Sequence, residues 1–89
     1  MKKQIYRNGL KFINEAEFND WAIHETELWI DNTEQLYKEF NFRLKNKSPK
    51  NCRQFIRNVM RCQNIKIKNK NVIAVYNNLK GERIDEING

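Results

Sequence analysis

The sequence predicts a small α+β domain, and three observations carry that expectation. Asn8-Gly9 lies between two short runs that hold apolar residues, Ile5-Tyr6-Arg7 and Leu10-Lys11-Phe12-Ile13. Apolar residues then recur at helical spacing from Phe18 to Leu44 and again from Cys52 to Cys62. Beyond them β-branched residues return, at Ile65, Ile67, Val72, Ile73 and Val75. The predicted order is an N-terminal β-hairpin, two or three helices and a C-terminal β-hairpin. With 89 residues the chain has room for one domain, 1–89.

Asn-Gly is the strongest short hairpin signal, because both residues of the tight turn need positive φ. That turn sets Ile5 opposite Phe12. Asn14 is a suitable N-cap, and Glu15, Glu17 and Asp20 follow where a helix dipole favours acids. Phe18, Trp21, Ala22, Glu25, Leu28 and Trp29 form a stripe that is apolar at every place but Glu25. Asp31-Asn32-Thr33 is poor helix material, and Asp31 with Glu34 fits a capping box for a second helix. That helix carries Leu36, Tyr37, Phe40 and Leu44. A single helix over 15–45 also fits, since the stripe drifts little from Trp29 to Leu36.

Ser48-Pro49 is a clean helix start, Ser as cap and Pro in the first turn, with the helix running to about Gln63. Ile65-Lys66-Ile67 against Val72–Tyr76, turning near Asn69-Lys70-Asn71, predicts the second hairpin. Residues 77–89 read as a loop and a mostly acidic tail, flexible from about 80 onward.

Charge is divided along the chain. From Phe40 to Lys80 there are eleven Lys and Arg and no Asp or Glu; residues 15–39 carry eight acids against one base, Lys38. The net charge is +6. A stretch so one-sided repels itself unless solvent screens it or an anion meets it, and phosphate is the commonest anion of that scale. The acidic segment permits head-to-tail self-association, contact with a basic partner protein, or neutralisation within the fold.

Cys52 and Cys62 fall on one helix, about 15 Å apart in rise, too far for a disulfide, which needs Cα atoms within about 7 Å. Both are expected reduced and buried, as in a cytoplasmic protein. Met1-Lys2-Lys3 is followed by no signal-peptide core, and no apolar run is long enough to span a membrane.

The third helix is two-faced. At about 100° per residue, Lys50, Arg53, Arg57 and Arg61 form a ridge, and Cys52, Phe55, Ile56, Val59 and Cys62 form the buried back. A merely solvated face usually interleaves Glu at i, i+4; this one has none. The predicted hairpin repeats the sign, with Lys66, Lys68 and Lys70 alternating onto one strand face. The candidate RNA contacts are therefore Arg43, Lys47, Lys50, Arg53, Arg57, Arg61, Lys66, Lys68 and Lys70. Tyr6, Phe42 and Tyr76 are candidates for base stacking, against the commoner fate of core packing.

Catalysis has no support. His24 is the only histidine, Glu25 and Glu27 lie on different helix faces, and there is no P-loop, dinucleotide glycine pattern or nucleophile elbow. Two cysteines ten apart and one distant histidine match no zinc spacing, so neither metal nor cofactor is expected. A winged helix, with Lys68-Asn69-Lys70-Asn71 as wing and the third helix in a DNA major groove, is the alternative to RNA binding. A charge-based inhibitor of a host protein is another.

With the Arg53/Arg57/Arg61 ridge and the Lys66/Lys68/Lys70 segment in view, the Asn- and Lys-rich, basic chain resembles the small early accessory proteins of T-even-type phages. Among these it is similar to the phage inhibitors of the ToxN endoribonuclease toxin, the TifA-like proteins. The resemblance implies an RNA-binding counter-defence protein of the host bacterial cytoplasm. Such a protein joins RNA and a host toxin in an inactive assembly; a homo-oligomer is what the division of charge, acid face on basic face, permits.

Overall fold

The computed structural model describes residues 4–88, with side chains through Arg83. A two-stranded antiparallel sheet, β1 (Ile5–Arg7) and β2 (Leu10–Phe12), precedes four helices: α1 (Glu15–Asn32), α2 (Glu34–Asn46), α3 (Pro49–Cys62) and α4 (Asn69–Asn88). Ile5 pairs with Phe12, the register the turn predicts. Asn8 and Gly9 both take positive φ, 55° and 74°, as a mirror-image two-residue turn requires. Phe12 meets Phe18 edge-on at 5.4 Å and Trp21 at 5.5 Å, which fastens the hairpin to α1.

Helices α1 and α3 start where their caps place them. Asn14 Oδ1 accepts the Glu17 N–H at 2.9 Å, and Ser48 Oγ accepts the Asn51 N–H at 3.1 Å. The chain breaks between α1 and α2 at Thr33, an extended residue, so residues 15–45 are two helices. Thr33 makes no side-chain cap to α2, and Asp31 is no capping-box residue: it lies inside α1 and its carboxylate accepts from Arg83 at 2.6 Å.

The buried face of α1 differs from the predicted stripe. Phe18, Asn19, Ala22, Thr26 and Ile30 are buried, while Leu28 and Trp29 are exposed. The small side chains of Ala22 and Thr26 present a low surface to neighbouring helices, and Thr26 Oγ1 satisfies itself on the Ala22 carbonyl at 2.7 Å.

The largest departure is at the C-terminal third. The predicted hairpin is absent; Asn69–Asn88 form one helix, which also replaces the loop and the acidic tail expected over 77–88, while residue 89 lies outside the described residues. Val72-Ile73-Ala74-Val75-Tyr76 has strand-like propensity. Yet Val72, Val75, Tyr76, Leu79 and Arg83 recur at i, i+3, i+4, i+7 and i+11 and are all buried. Burial of that face outweighs the propensity of isolated residues, as packing generally does for helices in proteins.

Helices α1 and α4 lie side by side and run in the same direction. Three polar contacts tie them, Asn19 with Asn71, Glu27 with Asn78 and Asp31 with Arg83, and Glu15 pairs with Lys68 just ahead of α4. Helix α3 runs against α4, Arg57 reaching Asn69 and Arg53 lying over Tyr76. It also runs against α2, where Phe40 packs on Phe55 with ring centroids 6.1 Å apart and Arg43 reaches Asn51. Phe18, Phe40, Ile30, Ile56, Met60 and Leu79 fill the shared core.

Candidate nucleic-acid interface

Helix α3 supplies the interface because its two faces have opposite fates. Cys52, Phe55, Ile56, Val59 and Met60 are buried. Met60 takes the place expected of Cys62, which is exposed. Both cysteines are free, and burial raises the Cys52 thiol above its ordinary value.

Lys50, Arg53, Arg57 and Arg61 stand on the outer face. None of the four forms an ion pair among the described residues. The three arginines are held by neutral partners instead. Arg57 Nη2 donates to Asn69 Oδ1 at 2.7 Å, and Arg61 Nη1 donates to Asn58 Oδ1 at 3.2 Å. The Arg53 guanidinium lies 5.8 Å from the centroid of Tyr76, and the Lys80 ammonium 5.6 Å from it. A neutral partner fixes the geometry of a guanidinium without cancelling its charge, so the full positive potential remains at the surface.

Between α3 and α4 runs a cleft of about 360 Å³, lined by Lys50, Arg53, Arg57, Asn69, Ile73, Tyr76 and Asn77. No lining residue is acidic. A second cleft, about 450 Å³, lies at the other end of α3 and is lined by Arg7, Asn8, Arg61, Asn64, Ile65, Lys66 and Ile67. The hairpin turn forms part of its wall: Asn8 Nδ2 donates to the carbonyls of Gln63 and Asn64 at 3.3 and 3.0 Å. Arg61 and Lys66 thus continue the ridge past the end of the helix.

Other predicted contacts are dispersed. Lys66, Lys68 and Lys70 share no strand face, because the segment is not a strand. Lys68 points inward, paired with Glu15 and lying 5.5 Å from the Phe18 ring centroid. Lys70 lines a different surface, between α1 and α4, beside Asp20 and Asn71. Arg43 is paired with Glu39 at 3.0 Å, donates to Asn51 and covers Phe55 at 5.0 Å. Lys47 is exposed just after α2. Of the stacking candidates, Tyr76 is buried, whereas Tyr6 and Phe42 are exposed.

Acids on α1 are engaged unevenly. Glu15 accepts from Arg7 at 3.0 and 2.6 Å and from Lys68, and these hydrogen bonds hold its carboxyl down to about 2, from 4.5. Glu17, Asp20 and Glu25 form no ion pair among the described residues. Near the far end, burial and the neighbouring charge of Asp31 push the Glu82 carboxyl up.

The residues the sequence reading missed are Asn69, Ile73, Asn77 and Lys80. They lie at i, i+4, i+8 and i+11, one face of α4, and the signal was hidden by reading the segment as strands. Among the described residues no group of three or more His, Cys, Asp or Glu is placed to hold a metal, and no helix is long and apolar enough to cross a membrane. No family model, curated protein or solved structure matches this chain.

Proposed function

We propose that the protein binds RNA along the cationic face of α3 and the cleft it forms with α4, and that it acts as a phage counter-defence factor. In that role it inhibits a host endoribonuclease toxin within an RNA-containing complex in the bacterial cytoplasm. One observation supports the binding reading: Arg53, Arg57 and Arg61 are oriented by an aromatic ring and amides, and neither they nor Lys50 form an ion pair with an acid among the described residues. Phosphates along a flexible strand are the chemistry that completes such a ridge.

The winged-helix alternative lacks its wing, since Asn69, Lys70 and Asn71 open α4 and Lys68 pairs with Glu15. The unpaired acids of α1 favour that face for a basic protein partner or a second copy.

Arg57→Glu combined with Arg61→Glu leaves the fold intact, because both side chains bond only to surface amides. The expected result is loss of RNA binding in a mobility-shift assay with an unchanged unfolding temperature. Unaltered affinity rejects the reading. Capture of the toxin from infected cells that disappears after RNase treatment supports the complex; capture insensitive to RNase points to a direct protein contact instead.

A further inference from the structure

We infer that the α3–α4 cleft receives an unpaired nucleobase, so that the protein selects single-stranded over duplex RNA. This rests on the RNA-binding reading and assigns the cleft a task that phosphate contact alone does not require.

The two walls of the cleft differ in chemistry. Its α3 wall is cationic, with Lys50, Arg53 and Arg57; its α4 wall is neutral, with Asn69, Ile73 and Asn77 at successive turns. A surface meant only for phosphates gains nothing from an isoleucine in its wall, yet Ile73 lines the cleft and is 40% exposed. A nucleotide has the same division: an anionic backbone on one side and a flat apolar ring with a hydrogen-bonding edge on the other. Against this cleft the backbone faces Lys50, Arg53 and Arg57, and the ring lies on Ile73. The Asn77 side chain offers both a donor and an acceptor to the ring edge, as any amide does, and makes no side-chain hydrogen bond among the described residues.

Size agrees with one nucleotide. At about 360 Å³ the cleft is near the small end of ligand cavities, which span about 300–1,000 Å³. Tyr76 forms its floor but is not the stacking platform, because Arg53 and Lys80 lie over its ring. The first of those contacts instead fixes Arg53 in the cationic wall. In A-form duplex the bases are paired and stacked, so only backbone reaches the ridge.

The test compares fluorescence anisotropy of three probes of equal length: single-stranded RNA, the same strand with abasic sites, and duplex RNA. The wild-type protein is expected to bind the base-bearing strand about tenfold more tightly than the abasic one, the worth of one well-seated base. Ile73→Ala is expected to erase that difference while binding the abasic strand as the wild type does. Its unfolding transition shows that the fold is kept. Equal binding of the base-bearing and abasic strands by the wild type, or a preference for duplex, overturns the base-binding inference and leaves the phosphate reading standing. Failure to bind any of the three overturns both.

Discussion

Arg83 is the side chain on which most of the C-terminal packing converges. It is nearly buried, at 4% side-chain exposure, and donates to Asp31 at 2.6 Å, to Asn41 and to the Leu79 carbonyl at 3.2 Å. Its guanidinium also lies over Tyr37 and Phe40, at 4.8 and 5.1 Å. One residue thereby binds α4 to both α1 and α2. Arg83→Met removes the cation and strands Asp31. Because the Asp31 side chain keeps 30% exposure, the expected loss is about 2–3 kcal/mol in urea unfolding, below the cost of breaking a wholly buried pair. Adding Asp31→Asn recovers part of it.

Glu15 plays a similar part at the other end, clamping Arg7 and Lys68. Its folded-state pKa of about 2 lies below the ordinary 4.5, so the folded state favours the ionised form. That contribution is complete above about pH 4.5 and is lost as pH falls toward about 2. Glu15→Gln is expected to be less stable than wild type at neutral pH, with the gap in urea midpoint closing across that window. A gap that persists at the acid end contradicts the assignment.

Among the elements, α4 tests the fold most directly. Gly81 sits within it, has no positive φ, and a Cβ there meets nothing within 4 Å. Gly81→Ala should therefore stabilise the protein by about 0.5–1 kcal/mol, the helix-propensity gain of an unobstructed site. In a flexible tail the same change would alter nothing. Where caps and turns speak locally, the sequence was legible: Asn8-Gly9, Asn14 and Ser48-Pro49 each define their element alone. The α3 ridge was equally legible, because four cations and five apolar residues separate cleanly at helical period. What escaped was decided by distant partners. Val72–Tyr76 reads as a strand until α1 and α3 bury every third or fourth residue of it. Arg83 looks like part of a charged tail until Asp31, 52 positions earlier, receives it. Leu28 and Trp29 look like core until the small surface of Ala22 and Thr26 turns α1 away from them.

At the scale of the whole molecule, charge is sorted in space as well as in sequence. The domain measures 49 × 23 × 22 Å. Its α3 face carries the unopposed cations, and α1 carries most of the acids. Affinity for a strand that meets Lys50, Arg53, Arg57 and Arg61 should fall with salt along a log–log slope near about −3, at about −0.7 per phosphate. Arg61→Ala should reduce that slope by about 0.7, and a slope near zero argues against phosphate contact.

The same-direction pairing of α1 with α4 joins the first helix made to the last described one. During synthesis α1 emerges early, and the part of its surface that meets α4 stays without cover until Arg83 has cleared the ribosome. The domain is therefore committed to a single late consolidation, and a nascent chain halted before α4 is a sticky intermediate suited to chaperone capture.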